Sequence, residues 1–338
     1  MKKGFSIIYP NAQGFIMFFV NVLVVASIAR FGELRKRKEY MIVAGLALGD
    51  AINGFAYLTA GTQRTYRVYY ALDNITSTPW DCYTIYNFCW NLGDPMANLM
   101  LVVVSLDRLI AVSFPMKYYQ FTRTYSLRFV GSVFAVSCVW LFVSVYISFS
   151  KRDEYIVTSI CYSEDALVED WYNEYYYLAM SIFQFISIIA YVFVLGIMSA
   201  RTKKKVAPKN KDGKSAETER QQKKREEELS RQRRLVITLG MSNAFTFLFG
   251  VVPNFLQSYI ARIVSEEDFA PISVLLAIIT NMNPILNFFL YTTRHKDIRG
   301  AVKSLLLCKR KVDMGQTSKV STTAATGQTL PPGAVTHK

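Results

Sequence analysis

The chain has 338 residues, is 51% hydrophobic and carries a formal net charge of +14. A soluble chain of this length alternates apolar and polar residues, but here apolar blocks of 20 or more residues recur, which excludes an ordinary soluble domain. Only two histidines exist, His295 and His337, both near the C-terminal end, which excludes histidine-dependent catalysis in the apolar part; the five cysteines form no CxxC or Cys/His cluster, which disfavours a metal site or a disulfide-dense scaffold, and no cofactor is implied.

The first block, Ile7–Ala29, passes Asn11, Gln13 and Asn21 with no small-residue cleavage site, so it reads as a span and not as a signal peptide. Tyr40–Thr62, Cys82–Val112, Leu127–Phe149, Trp171–Ala200, Leu235–Ile260 and Phe269–Tyr291 follow. Each is long enough to cross about 30 Å of hydrocarbon at ~1.5 Å per residue. Lipid offers backbone groups no partner, so blocks this long are helices and not barrel strands. After Tyr291, Ile298, Val302, Leu305 and Leu306 recur at helical spacing among basic residues, which predicts an amphipathic eighth helix on the membrane surface. Cys308 beside it is a palmitoylation candidate or a plain free thiol. The predicted architecture is an all-α membrane protein, a seven-transmembrane helix bundle over residues 1–308 with a basic loop at about 201–234, then a disordered Thr/Gly/Pro-rich tail over 309–338.

Charge sets the expected orientation. Arg30–Glu39 carries five Lys/Arg against two acids, Ser113–Arg128 three against none, Arg201–Arg234 fourteen against six, and the tail from Arg294 nine against two. The alternate connections are acid-rich: Asp153, Glu154, Glu164 and Asp165 in one, Glu266, Glu267 and Asp268 in another. The positive-inside rule then puts the basic segments in the cytoplasm and the N-terminus outside, in the plasma membrane. Topology and attraction to anionic lipid explain the basic excess, so the bilayer and no nucleic acid is the implied partner. The sequon Asn74-Ile75-Thr76 falls in an outer connection, a glycosylation site. Cys82 and Cys161 flank outer connections, where a disulfide tying the third helix to the loop after the fourth competes with two unpaired thiols.

Polar residues inside spans need partners. Asn21, Asp50, Asn98 and Asn283 form a candidate mid-membrane cluster, Asn287 lies a turn beyond, and Asp94 sits in the outer half of the third helix. Asp50 and Asp94 are expected on different levels. Pro253 and Pro284 interrupt the sixth and seventh blocks, as kinks that serve packing or a swing of the sixth helix. The stretch VVVSLDRLIAVSFPMKYY ends an apolar run with Asp107 and Arg108, charges that compensate one another at the inner interface.

Seven spans with SLDRLIAVSFP closing the third helix resemble a rhodopsin-like G-protein-coupled receptor. Asn21 looks like the first-helix asparagine, LALGD like the second-helix motif ending in Asp50, and Asp107-Arg108-Leu109 like the D-R-Y triplet. Trp140, Pro253 and the run from Asn283-Pro284 to Asn287 look like the fourth-helix tryptophan, the sixth-helix proline and NPxxY. ELRKRKEYMIVAGLALGD and DRLIAVSFPMKYY look most like nematode serpentine chemoreceptors of the Srsx class. The resemblance implies a receptor, not an enzyme, that binds an extracellular ligand (a chemosensory small molecule or neuropeptide) and contacts a heterotrimeric G protein α subunit through Arg108. It implies a Cys82–Cys161 bridge and a sensory-neuron membrane. Departures are a triplet without tyrosine, Gly250-Val251-Val252-Pro253 in place of CWxP, and Asn287 where NPxxY has tyrosine. Trp90 stands where amine receptors have aspartate, which disfavours an amine ligand, and Ala97 stands where a sodium site has serine. Trp90, Asp94, Trp171, Tyr175 and Tyr259 are candidate ligand contacts, with interface anchoring as the competing role. The altered motifs leave a non-signalling decoy or scaffold receptor open; a transporter is disfavoured because no internal repeat is visible.

Overall fold

In the computed structural model, apolar length becomes helix length. Residues 2–72, 75–153, 157–161, 163–168, 170–205, 240–241, 244–260, 263, 272 and 275–309 are described. Asn74, most of the basic loop and the tail beyond 309 lie outside the described residues. In chain order the helices are α1 (Lys2–Arg30), α2 (Gly32–Arg35), α3 (Lys38–Tyr69), α4 (Pro79–Cys82), α5 (Ile85–Ser113), α6 (Pro115–Gln120), α7 (Arg123–Ser150), α8 (Ser163–Ala166), α9 (Asp170–Lys205), α10 (Val252–Ile260), α11 (Met282–Arg294) and α12 (Lys296–Leu306). Among the described residues, six apolar helices are long enough to span a bilayer, and a shorter apolar helix, Ala244–Leu256, supplies the sixth position in the bundle.

α5 is the central helix, packed between α3, α7 and α9. It buries nearly its whole circumference, from Tyr86 to Val112. α3 lies between α1 and α5, and small residues let it approach both, since close packing replaces the hydrophobic effect inside lipid. A Cβ on Gly54 would stand 2.5 Å from the Phe18 backbone nitrogen of α1, and one on Gly49 would stand 2.8 Å from the Ala97 nitrogen of α5. α7 is the least buried of these helices and presents Val139, Phe142 and Tyr146 outward at 63%, 71% and 71% exposure, the signature of a lipid-facing surface.

The predicted spans and the helices differ where polarity and helicity part company. α3 runs to Tyr69, seven residues past the predicted Thr62, because Gln63, Arg64 and Arg67 end the apolar run without breaking the backbone ladder. The predicted third span began at Cys82, but Cys82 closes the separate turn α4, which a Thr78–Asp81 capping box and Pro79 start independently. The amphipathic eighth helix is present as α12, which seats Ile298, Ala301 and Val302 against the core and packs on α1.

Two core clusters result. The larger, around Leu46, Met100, Val104, Tyr191 and Ile298, fills the end of the bundle that carries the basic connections. The smaller surrounds the Cys82–Cys161 disulfide, with Leu167, Tyr176 and Met180.

Candidate functional site

At the basic end, Asp107 and Arg108 are 1% and 7% exposed, and Arg108 Nη2 lies 2.8 Å from Asp107 Oδ2. The Tyr118 hydroxyl of α6 donates to the same oxygen at 3.2 Å. Burial pushes that phenol above its ordinary range, so it stays a donor. Lys38, first residue of α3, donates to the carbonyl of Tyr118 and, at 3.1 Å, to that of Phe121, and its ammonium sits 3.8 Å from the Tyr118 ring centroid. Ser126 of α7 donates to the Lys38 carbonyl at 2.9 Å. The start of α3 therefore clasps the short helix that follows the Asp-Arg pair. A lysine at a helix start reads as an interfacial charge, and only the fold reveals this role.

The same segment reaches the other way. Arg37 and the Tyr40 hydroxyl both bond Asp297 Oδ2 of α12, at 2.6 and 2.9 Å. Asp107 Oδ1 and Arg108 Nε have no hydrogen-bond partner among the described residues. Beside them lies a cavity of about 20 Å³ lined by Glu39, Tyr40, Tyr291 and His295, room for about one water molecule. Tyr291, one turn beyond Asn287, lines this cavity together with the pair. Asn287 is 2% exposed within α11, and Leu109 flanks the pair as a partly buried side chain packed on the core.

The polar residues of the spans separate among different partners. Asn21 donates to Met17 O of its own helix at 2.9 Å, and Asn283 exchanges bonds with Thr246 at 3.3 and 3.4 Å. Asn98 accepts from Gln184 Nε2 at 2.8 Å. Asp50 is 5% exposed next to the Gly49 crossing. Among the described residues, three side-chain rungs join α5 to α9: Asp94–Tyr176 at 2.7 Å, Asn98–Gln184 at 2.8 Å and Ser105–Ser187 at 2.7 Å. Helical spacing explains the α9 partners, since Tyr176, Met180, Gln184, Ser187, Tyr191 and Val194 form one buried face.

That face takes in Tyr176 and leaves its neighbour outside. Of the Tyr175-Tyr176-Tyr177 run, Tyr176 turns inward at 1% exposure, whereas Tyr175 is 62% exposed. Trp90 lies 5.0 Å from the Tyr176 ring, and Trp140 lies 5.6 Å from it on another side. Tyr259 is 57% exposed beside Phe255, and the Trp171 side chain lies outside the described residues. Over this end, a two-stranded ribbon pairs Thr76–Ser77 with Val157–Thr158, and the disulfide, Arg67 to Ser159 O, and Tyr86 to Cys161 O pin the loop.

Both proline positions carry irregular backbone. Phe247–Val251 forms a π-helical turn just ahead of Pro253, and the seventh helix is interrupted at Asn281, before Asn283 and Pro284. A proline removes one backbone donor, and a wider turn upstream accommodates the loss.

The bundle, with a buried Asp-Arg pair at the base of its central helix, is that of a multi-pass membrane protein. A family model described as serpentine type 7TM GPCR chemoreceptor Srsx matches residues 14–306, and the chain belongs to that family. No curated protein matches the chain at a significant level.

Proposed function

We propose that this receptor binds an extracellular ligand, a chemosensory small molecule or a neuropeptide, and activates a heterotrimeric G protein through Arg108. The observation that carries the reading is the buried Asp107–Arg108 pair held shut by Tyr118 at the base of the central helix. A buried pair is costly to separate, so Arg108 leaves Asp107 only when the surrounding helices part and water or a new partner reaches it. An agonist acts by preferring that open state. In this reading the N-terminus lies outside the plasma membrane of a sensory neuron, residues 1–308 form the receptor domain and 309–338 the cytoplasmic tail. Trp90 and Asp94, joined by Tyr176, form the ligand floor, with Trp171, Tyr175 and Tyr259 at its rim. Asn98 and Asn283 are polar joints between moving helices, Asp50 and Asn21 are buried polar groups of the same mid-membrane set, and Pro253, Pro284 and Asn287 belong to the switch. Asn74 carries a glycan and Cys308 a palmitoyl chain.

The test is agonist-stimulated nucleotide exchange in membranes holding wild type or Arg108→Ala, screened against peptides, small metabolites and volatile odorants. A ligand that drives exchange only with Arg108 intact supports the reading. Saturable binding with no exchange in either protein identifies a non-signalling receptor instead.

A further inference from the structure

A second feature lies at the surface where α6 meets α7, next to the clasp on the Asp-Arg pair. A shallow groove of about 680 Å³ runs between the end of α6 and the first turns of α7. Its floor is an aromatic ladder, with Phe121 and Tyr125 stacked at 4.5 Å and Tyr125 and Phe129 edge-on at 4.9 Å. Thr124, Arg128 and Ser132 form its polar side. Arg128 is exposed and has no ion-pair or hydrogen-bond partner among the described residues. The segment Ser113–Arg128 holds three basic residues and no acid, so the groove favours an anion.

The groove continues into an apolar track. Along α7, exposed positions recur at helical spacing from Arg128 through Ser132 to Val136 and Val139, the last two at 50% and 63% exposure. Gly131 beside this stripe has nothing within 4 Å of where a Cβ would stand, so a chain can lie flat there. Arg128 to Val139 spans roughly 16 Å of helix, about half the hydrocarbon thickness and so one leaflet deep. A cationic, hydroxyl-bearing head site over an aromatic floor, leading into an apolar stripe of leaflet length, has the amphipathic order of one molecule.

We propose that this groove binds an anionic glycerophospholipid of the adjoining leaflet, its phosphate on Arg128, Thr124 and Ser132 and one acyl chain along Val136 and Val139. The occupant bridges α6, which bonds Asp107 through Tyr118, to α7. The inference needs the membrane-spanning bundle but neither ligand binding nor G-protein coupling, and both leaflets of a nanodisc are equivalent, so it does not depend on orientation.

The test uses the full chain in nanodiscs of phosphatidylcholine with a minority of phosphatidylserine, doped with acyl-chain photoactivatable phosphatidylserine or phosphatidylcholine, with cross-linked peptides mapped. Phosphatidylserine labelling of residues 121–143 is expected to exceed phosphatidylcholine labelling about fivefold, the contribution of one basic residue at a membrane surface. Arg128→Gln brings the two probes level, whereas Lys303→Gln on exposed α12 leaves the preference intact. Equal labelling in wild type, undiminished preference in Arg128→Gln at unchanged thermal stability, or the same loss in Lys303→Gln overturns the proposal. Exclusion of both probes from this face, as by a second receptor copy, overturns it as well.

Discussion

Replacing Tyr118 by phenylalanine isolates one bond of the clasp. The ring remains, so the Lys38 contact at 3.8 Å and the Phe121 contact at 6.0 Å survive. Only the 3.2 Å bond to Asp107 goes, leaving that carboxylate with Arg108 alone. A hydrogen bond to a charged group contributes about 1.5–3 kcal/mol, and the long distance puts this one near the lower end. If the bond exists only in the closed state, basal nucleotide exchange rises by no more than about tenfold, because a population shift cannot exceed the energy difference that drives it. Thermal unfolding in detergent and agonist-free exchange in membranes read the two consequences separately. Tyr118→Phe is expected to lower stability and raise basal exchange together, with Tyr118→Leu doing more of both through loss of the ring. A Tyr118→Phe receptor with the melting curve and basal rate of wild type would refute the clasp.

Lys38→Met leaves the carbonyls of Tyr118 and Phe121 without their cation and is expected to cost about 2–4 kcal/mol in the same melting assay, with Lys38→Arg recovering part of it. Gly54→Leu drives a side chain into the Phe18 backbone and should abolish surface expression, while the same change at Gly196, which has open space, should not. Gln184→Leu removes the Asn98 rung and is expected to cost about 1–2 kcal/mol, with Asn98→Leu added on top costing little more in a double-mutant cycle. Cys82→Ser should lower stability by about 2–4 kcal/mol and make the melting temperature indifferent to reductant, whereas wild type loses stability when reduced.

The bundle was legible because membrane spans are written in composition: an uninterrupted apolar block has few other solutions than a helix. Asp107 and Arg108 were legible for the related reason that charges in such a block demand an account. Apart from the Cys82–Cys161 bridge, what escaped was the side-chain partners supplied by distant chain. Lys38 meets carbonyls 80 and 83 residues away, and nothing in its own neighbourhood announces them. Tyr176 and Gln184 were hidden because a helix that is apolar on all sides gives no amphipathic signal to say which side faces the core. α4 was absorbed into the third span because Cys82 is apolar enough to extend the block, although Thr78-Pro79 and Asp81 spell out a separate helix start.

The π-helical turn at Phe247–Val251 also changes how positions along the sixth helix are counted. One such turn carries one more residue than an α-turn, so side chains on either side of it are offset by about 100° from continuous α register. Numbering back from Pro253 as though the helix were uniform therefore assigns Phe245 and Thr246 to the wrong side. The same offset is a rotational step: returning the five residues to α geometry would turn one half of the helix against the other by one residue while Pro253 kept its seat. The segment can present a different row of side chains at constant sequence and nearly constant length.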